Sequence, residues 1–150
     1  MKIIDILRQD RPTLSFEVFP PKTSDSYETV AQATQEIAAL RPDFMSVTYG
    51  AGGGTSSYTI GIASELSQRY GVDSLAHLTC ASSTREHVHA MLAEMKAKGI
   101  QNVLALRGDI PEGGAPAHDY QYAAQLVRDI KASGDFCVGG ASYPEGHPEA

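Results

Sequence analysis

Hydrophobic and polar positions along the chain switch between two periods. Thr13 to Phe19 alternates and predicts a strand, closed by Pro20-Pro21. Tyr27 to Leu40 repeats at helical spacing, with Val30, Ala33, Ile37 and Leu40 on one face; Asp25 or Ser26 can cap it and Pro42 stops it. Phe44 to Tyr49 is a second strand, followed by a glycine cluster and a helix from about Ser57 to Tyr70 ended by Gly71. Leu75 to Cys80 is a third strand. Ser83-Thr-Arg-Glu86 then fits a capping box for a helix whose core stripe is Val88, Met91, Leu92 and Met95, with Gly99 as its stop. Asn102 to Leu106 is a fourth strand. A helix from about Tyr120 to Ser133 carries Ala123, Leu126, Val127 and Ile130 inward, and Phe136 to Ala141 is a fifth strand. Strands recur at about 30 residues with a helix between each, the rhythm of a parallel α/β sheet.

Each predicted strand ends in polar or special residues. Strand one carries Glu17, strand two ends Thr48-Tyr49-Gly50, and strand three contains His77 and ends Thr79-Cys80. Strand four ends Arg107-Gly108-Asp109, and strand five runs into Tyr143-Pro-Glu-Gly-His147. Parallel α/β folds bind ligands at the carboxyl ends of their strands, so five polar tips in succession point to one shared site.

Glu17 is the sharpest signal. Alternation places Ser15, Glu17 and Phe19 on one face and Leu14, Phe16 and Val18 on the other. If the first face is a barrel interior, an ionised carboxylate without partners costs several kcal/mol there, which favours the protonated form that a general acid needs. The structural alternative is an ion pair at the strand end, with Arg107 as the partner. Arg107-Gly108-Asp109 reads either as an internal ion pair or as a guanidinium and a carboxylate facing a heterocyclic ligand, with Gly108 permitting close approach. Gly50-Ala51-Gly-Gly-Gly-Thr55 is not a dinucleotide fingerprint: Thr55 holds a position that requires glycine, and the next strand ends in Thr79-Cys80 where an acid is needed. The loop wraps a ligand or is simply a connection. His87 and His89 diverge on their helix and read as surface polarity. His77 reads as a satisfied core histidine or a ligand contact, and His147 sits where it can meet a ligand edge.

Composition narrows the picture. The chain has 150 residues, 42% hydrophobic and 20% charged, which excludes a disordered polyelectrolyte. Its net charge is −6, with 10 basic and 11 acidic residues up to Gly108 but 2 and 7 beyond it. No basic stripe exists for a nucleic-acid backbone. No apolar run approaches the ~20 residues of a membrane span, and the start lacks a secretory signal. Cys80 and Cys137 read as reduced core thiols, so a cytoplasmic location is expected. There is no zinc-spaced cluster, no serine–histidine–aspartate order and no predicted strand with an aldolase-type lysine.

Phe16-Glu17-Val-Phe-Pro20-Pro21, Ser46-Val-Thr48-Tyr49-Gly50-Ala51, His77-Leu-Thr79-Cys80, Leu104-Ala-Leu-Arg107-Gly108-Asp109 and Tyr143-Pro-Glu-Gly-His147 occur in order. Together they resemble the bacterial 5,10-methylenetetrahydrofolate reductases from about residue 13 to the end. The resemblance implies a (β/α)8 TIM barrel binding FAD, a hydride relay from NAD(P)H through the flavin to methylenetetrahydrofolate, and a homo-oligomer when complete. It implies that Glu17 is the acid that protonates a folate nitrogen, and that Asp109 is the carboxylate beside flavin and pterin. Thr48, Tyr49, Ala51, His77, Leu106, Arg107, Gly108, Asp109, Tyr122, Ala123, Tyr143 and His147 match positions that line the cofactor.

The chain departs from that family in length. A complete barrel needs eight strands and typically about 250 residues, and five strands are legible here. The expectation is therefore the N-terminal portion of one barrel domain, with no second domain. By itself it is expected to aggregate, fold partly or pair through strand five, and to lack activity. The alternative is a half-barrel that serves as a binding or assembly module.

Overall fold

The computed structural model describes residues 1–21, 26–49, 56–110 and 117–146. Five strands, β1 (Ser15–Val18), β2 (Phe44–Val47), β3 (Asp73–Thr79), β4 (Asn102–Leu106) and β5 (Cys137–Gly140), form one sheet in the order β1-β2-β3-β4-β5. Every neighbouring pair is parallel. The connections carry α2 (Tyr27–Ala38), α3 (Ser56–Arg69), α4 (Arg85–Ala97) and α5 (Ala123–Ser133). A short α1 (Ile3–Leu7) precedes them. Right-handed crossovers between strands laid down in sequence order put all four helices on one side of the sheet. The strand order never reverses, so there is no crevice of the doubly wound kind.

The core lies between sheet and helices. Met45, Val47, Ala76, Leu78, Val103 and Ala105 come from the strands, and Ile60, Leu66, Val88, Leu92, Met95, Leu126 and Ile130 from the helices. Each large side chain buried there contributes roughly 1.5–3 kcal/mol. The expected α4 stripe is buried as the periodicity implied, whereas in α5 Leu126 and Ile130 are buried and Ala123 and Val127 only half-buried.

Three expectations are corrected. In α2 the buried positions are Thr34 and Ala38, while Ala33 and Leu40 face solvent. Thr34 can turn inward because its hydroxyl donates to the Val30 carbonyl at 2.7 Å, satisfying itself within the helix. The α4 cap is Thr84, whose side chain accepts the His87 N–H; Ser83, the expected cap, is buried one residue earlier. Helix α5 starts at Ala123, where Gln125 reaches back to accept from the Gln121 and Tyr122 N–H groups.

Helix α1 has no counterpart in the sequence reading. It lies across the N-terminal ends of the strands, where Asn102 holds it: the Asn102 carbamoyl oxygen accepts from Ile3 N–H at 2.8 Å, and its NH2 donates to the carbonyls of Met1 and Ser74. Met1 and Lys2 add ion pairs to Asp73 and Asp135. A cavity of about 500 Å³ lies beside α1, lined mainly by Ile3, Leu7, Phe44, Leu75, Phe136 and Val138. That floor is apolar, and the chemistry lies elsewhere.

Candidate active site

The face of the sheet away from the helices carries the polar residues. Register places Glu17 beside Ser46, Ser46 beside Leu75, and His77 beside Leu104. Alternation holds within β1, where Val18 is buried, Phe16 packs on the core and Ser15, Glu17 and Phe19 look outward, but Leu14, expected with Phe16 and Val18, is exposed just before the strand. The Ser46 hydroxyl donates to Glu17 Oε2 at 2.9 Å, and His77 Nε2 lies 3.4 Å from the same oxygen.

Glu17 differs from expectation in its surroundings. Its side chain is 46% exposed, so the described residues do not enclose it. Its neighbours among the described residues are Ser46 and His77. His77 is the buried member of the pair. Burial pushes its imidazole below the ordinary histidine value, and the Glu17 carboxylate opposes that. Its Nε2 is enclosed yet, among the described residues, makes no hydrogen bond of acceptable geometry, the 3.4 Å contact included.

Around this pair the strand tips are tied to one another. Thr48 N–H donates to the Val18 carbonyl at 3.1 Å, and the Thr48 carbonyl accepts from the Thr59 hydroxyl at 2.8 Å. Tyr49 Oη meets His87 Nε2 at 3.2 Å, joining the tip of β2 to the first turn of α4. His87 thus has a structural partner that helical spacing could not disclose. His89 lies apart, 3.7 Å from Asp129. The Arg107 carbonyl accepts from both Cys80 and Ala81 N–H groups, which fixes the tip of β4 against that of β3.

Gly108 bends the chain there with φ +75°, and a Cβ on it would stand 2.7 Å from the Thr79 Cβ. Packing against Thr79 by itself requires the glycine there. Leu106 and Arg107 are half-buried and Asp109 is exposed beyond the bend. Tyr122 and Ala123 stand at the start of α5, and Tyr143 is exposed before a turn closed by Gly146 N–H donating to its carbonyl. Ala51, with the glycine loop, and His147 lie outside the described residues. Burial pushes the Cys80 thiol up to about 11, so it stays protonated and is no nucleophile. Among the described residues no group of three or more histidine, cysteine or acidic side chains could hold a metal ion. No described helix is long and apolar enough to cross a membrane.

A parallel sheet wound in one direction, with its chemistry on the open face and at the C-terminal strand ends, is that of the (β/α)8-barrel class. The fold is similar to that of the 4-hydroxy-tetrahydrodipicolinate synthase from Methylacidiphilum fumariolicum SolV, with a TM-score of 0.60 over 90% of this chain and 45% of that one, at 14% identity. The family model described as methylenetetrahydrofolate reductase matches residues 2–150, and the chain belongs to that family. The chain is 43% identical over 143 residues to the 5,10-methylenetetrahydrofolate reductase of Pectobacterium carotovorum subsp. carotovorum, covering 95% of this chain and 47% of the relative. It is 37% identical to the protein of the same name from Escherichia coli K12, with the same coverage. A probable methylenetetrahydrofolate reductase (NADH) of Oryza sativa subsp. japonica is 38% identical over all of this chain and 27% of its own length. The chain thus spans about half the length of these bacterial relatives.

Proposed function

We propose that this chain forms the first five βα units of a single barrel domain that reduces 5,10-methylenetetrahydrofolate to 5-methyltetrahydrofolate, with NAD(P)H as the electron source and FAD as cofactor. The observation that carries the reading is the Glu17 carboxylate, standing on the open face of β1 beside Ser46 and His77, in a chain whose relatives bear that enzyme's name.

The residues present fit a flavin in three respects. Leu104 and Leu106 are half-buried on the open face, offering apolar surface to a flat ring. His77 Nε2 is a buried polar atom without a hydrogen bond among the described residues. Arg107 and Asp109 flank the bend at the tip of β4, where charge can meet a heterocycle. On this reading Thr48, Tyr49, His77, Leu106, Arg107, Gly108, Tyr122, Ala123 and Tyr143 hold the cofactor, and the resemblance adds Ala51 and His147 to that set. FAD supplies a carrier that accepts hydride from the nicotinamide and yields it to the folate.

The chain's own residues contribute proton transfer and charge. Glu17 delivers a proton to a folate nitrogen, opening the bridging ring to an iminium that can accept hydride. Asp109 places a negative charge beside the pterin.

Glu17→Gln in the full-length protein tests the reading by keeping the shape and removing the proton. Stopped-flow traces should show nicotinamide oxidation preserved and folate reduction slowed roughly 100-fold or more. Equal losses in both half-reactions would make Glu17 a structural residue.

A further inference from the structure

A half-exposed glutamate on a strand has its Cα and Cβ fixed by the sheet and its carboxyl fixed by nothing in the backbone. On β1 the carboxyl of Glu17 is nevertheless placed. Ser46 stands directly across the β1–β2 ladder, its hydroxyl 2.9 Å from Glu17 Oε2. Ser46 is only 8% exposed, whereas the Glu17 side chain is 46% exposed, so the fixed end of this hydrogen bond is the serine. His77 Nε2 approaches the same oxygen from β3 at 3.4 Å. Both neighbours therefore converge on Oε2.

We propose that Ser46 is a positioning residue for Glu17: it holds Oε2 as an acceptor, and so leaves Oε1 as the oxygen that carries and delivers the acid's proton. The catalytic half of this inference rests on the reading of Glu17 as the acid. The chemistry is that of a hydroxyl with a single proton. While Ser46 gives that proton to Oε2, the oxygen is an acceptor, and the carboxylic-acid proton belongs on the other one. Pinning the carboxyl also removes rotamers in which the acid faces away from the substrate.

The tether can be read without turnover. Glu17 raises the proton affinity of the buried His77 imidazole against the effect of burial. Among the described residues no other charged group bears on it, and the neighbouring strands present Ser46 and Leu104. A carboxylate released by Ser46→Ala moves off His77, so the imidazole should titrate at lower pH, followed by NMR in the full-length protein without folate or nicotinamide. Ser46→Thr, which keeps the hydroxyl, should restore the parent titration. In the same pair of variants, the folate half-reaction should slow about 10-fold in Ser46→Ala and recover in Ser46→Thr. Folate affinity and nicotinamide oxidation should stay unchanged.

An unshifted His77 titration in Ser46→Ala overturns the proposal whatever Glu17 does in catalysis. A shifted titration with an unaltered folate rate overturns its catalytic half alone, and the reading of Glu17 as the acid is then decided separately by Glu17→Gln. If the alanine protein does not fold, Ser46→Cys is read in the same two ways, because a thiol is of similar shape and a far weaker donor.

Discussion

At His77 two influences oppose each other, and burial is the larger. The folded chain therefore binds a proton at that imidazole less readily than the unfolded chain, whose histidine titrates near 6.5. Where the unfolded state takes up more protons, stability falls as the pH falls. The contribution of neutral His77 should be complete above about pH 6.5 and should decline as the pH drops from there toward the lower folded value. Melting curves between pH 7.5 and about 5 should show that decline. His77→Gln should remove its share, and a variant with an acid limb as steep as the parent's would place the effect in other groups. The two residues of this pair were unequally legible in sequence. Alternation alone assigned Glu17 to the open face. Its exposure depends on what lies across the sheet from it, which no local pattern encodes. Ser46 could have been noticed as a polar residue on the open-face phase of its strand, but naming its partner needed the register.

Element boundaries turn on a few such contacts. The β3 and β4 tips are fixed by the Arg107 carbonyl and by the left-handed bend at Gly108. Gly108→Ala meets two penalties: a φ that side chains rarely adopt, and a contact of 2.7 Å with the Thr79 Cβ. Together these should cost roughly 1–3 kcal/mol, seen as a lowered denaturation midpoint with an unchanged slope. Adding Thr79→Gly should recover only the steric part. A Gly108→Ala protein as stable as the parent would show that the bend can rearrange. The pattern of five strands and four long helices was legible because each core stripe spans two or more turns and returns every βα unit. What escaped was smaller than one period. Helix α1 has five residues, of which Ile3 and Ile6 are buried, too short a run for helical spacing to register. Thr34 escaped because a hydrophobicity reading counts a hydroxyl as polar even when it is satisfied inside its own helix. Both Ser83 and Thr84 suit a cap chemically, and only backbone geometry selects the second.

Across the whole molecule, the floor beneath the strands hangs on Asn102. One buried amide serves three backbone groups, from Met1, from α1 and from β3, and all its contacts require a single orientation of oxygen and nitrogen. Asn102→Leu keeps the volume and strands those groups, at about 1–3 kcal/mol for each one that water cannot reach. The loss should be largest for exchange of the Ile3 amide, followed by hydrogen exchange, while α4 and α5 amides keep their order of protection. Uniform loss of protection would mean that the floor and the helices unfold as one. The same contact sets an order of events in biosynthesis. Each strand pairs with the one made just before it, so the sheet can grow as units leave the ribosome, at about 5–20 residues per second. Ile3 is the exception. Its amide waits for a side chain 99 positions downstream, and α1, already translated, has to stay undocked for several seconds until β4 emerges to receive it.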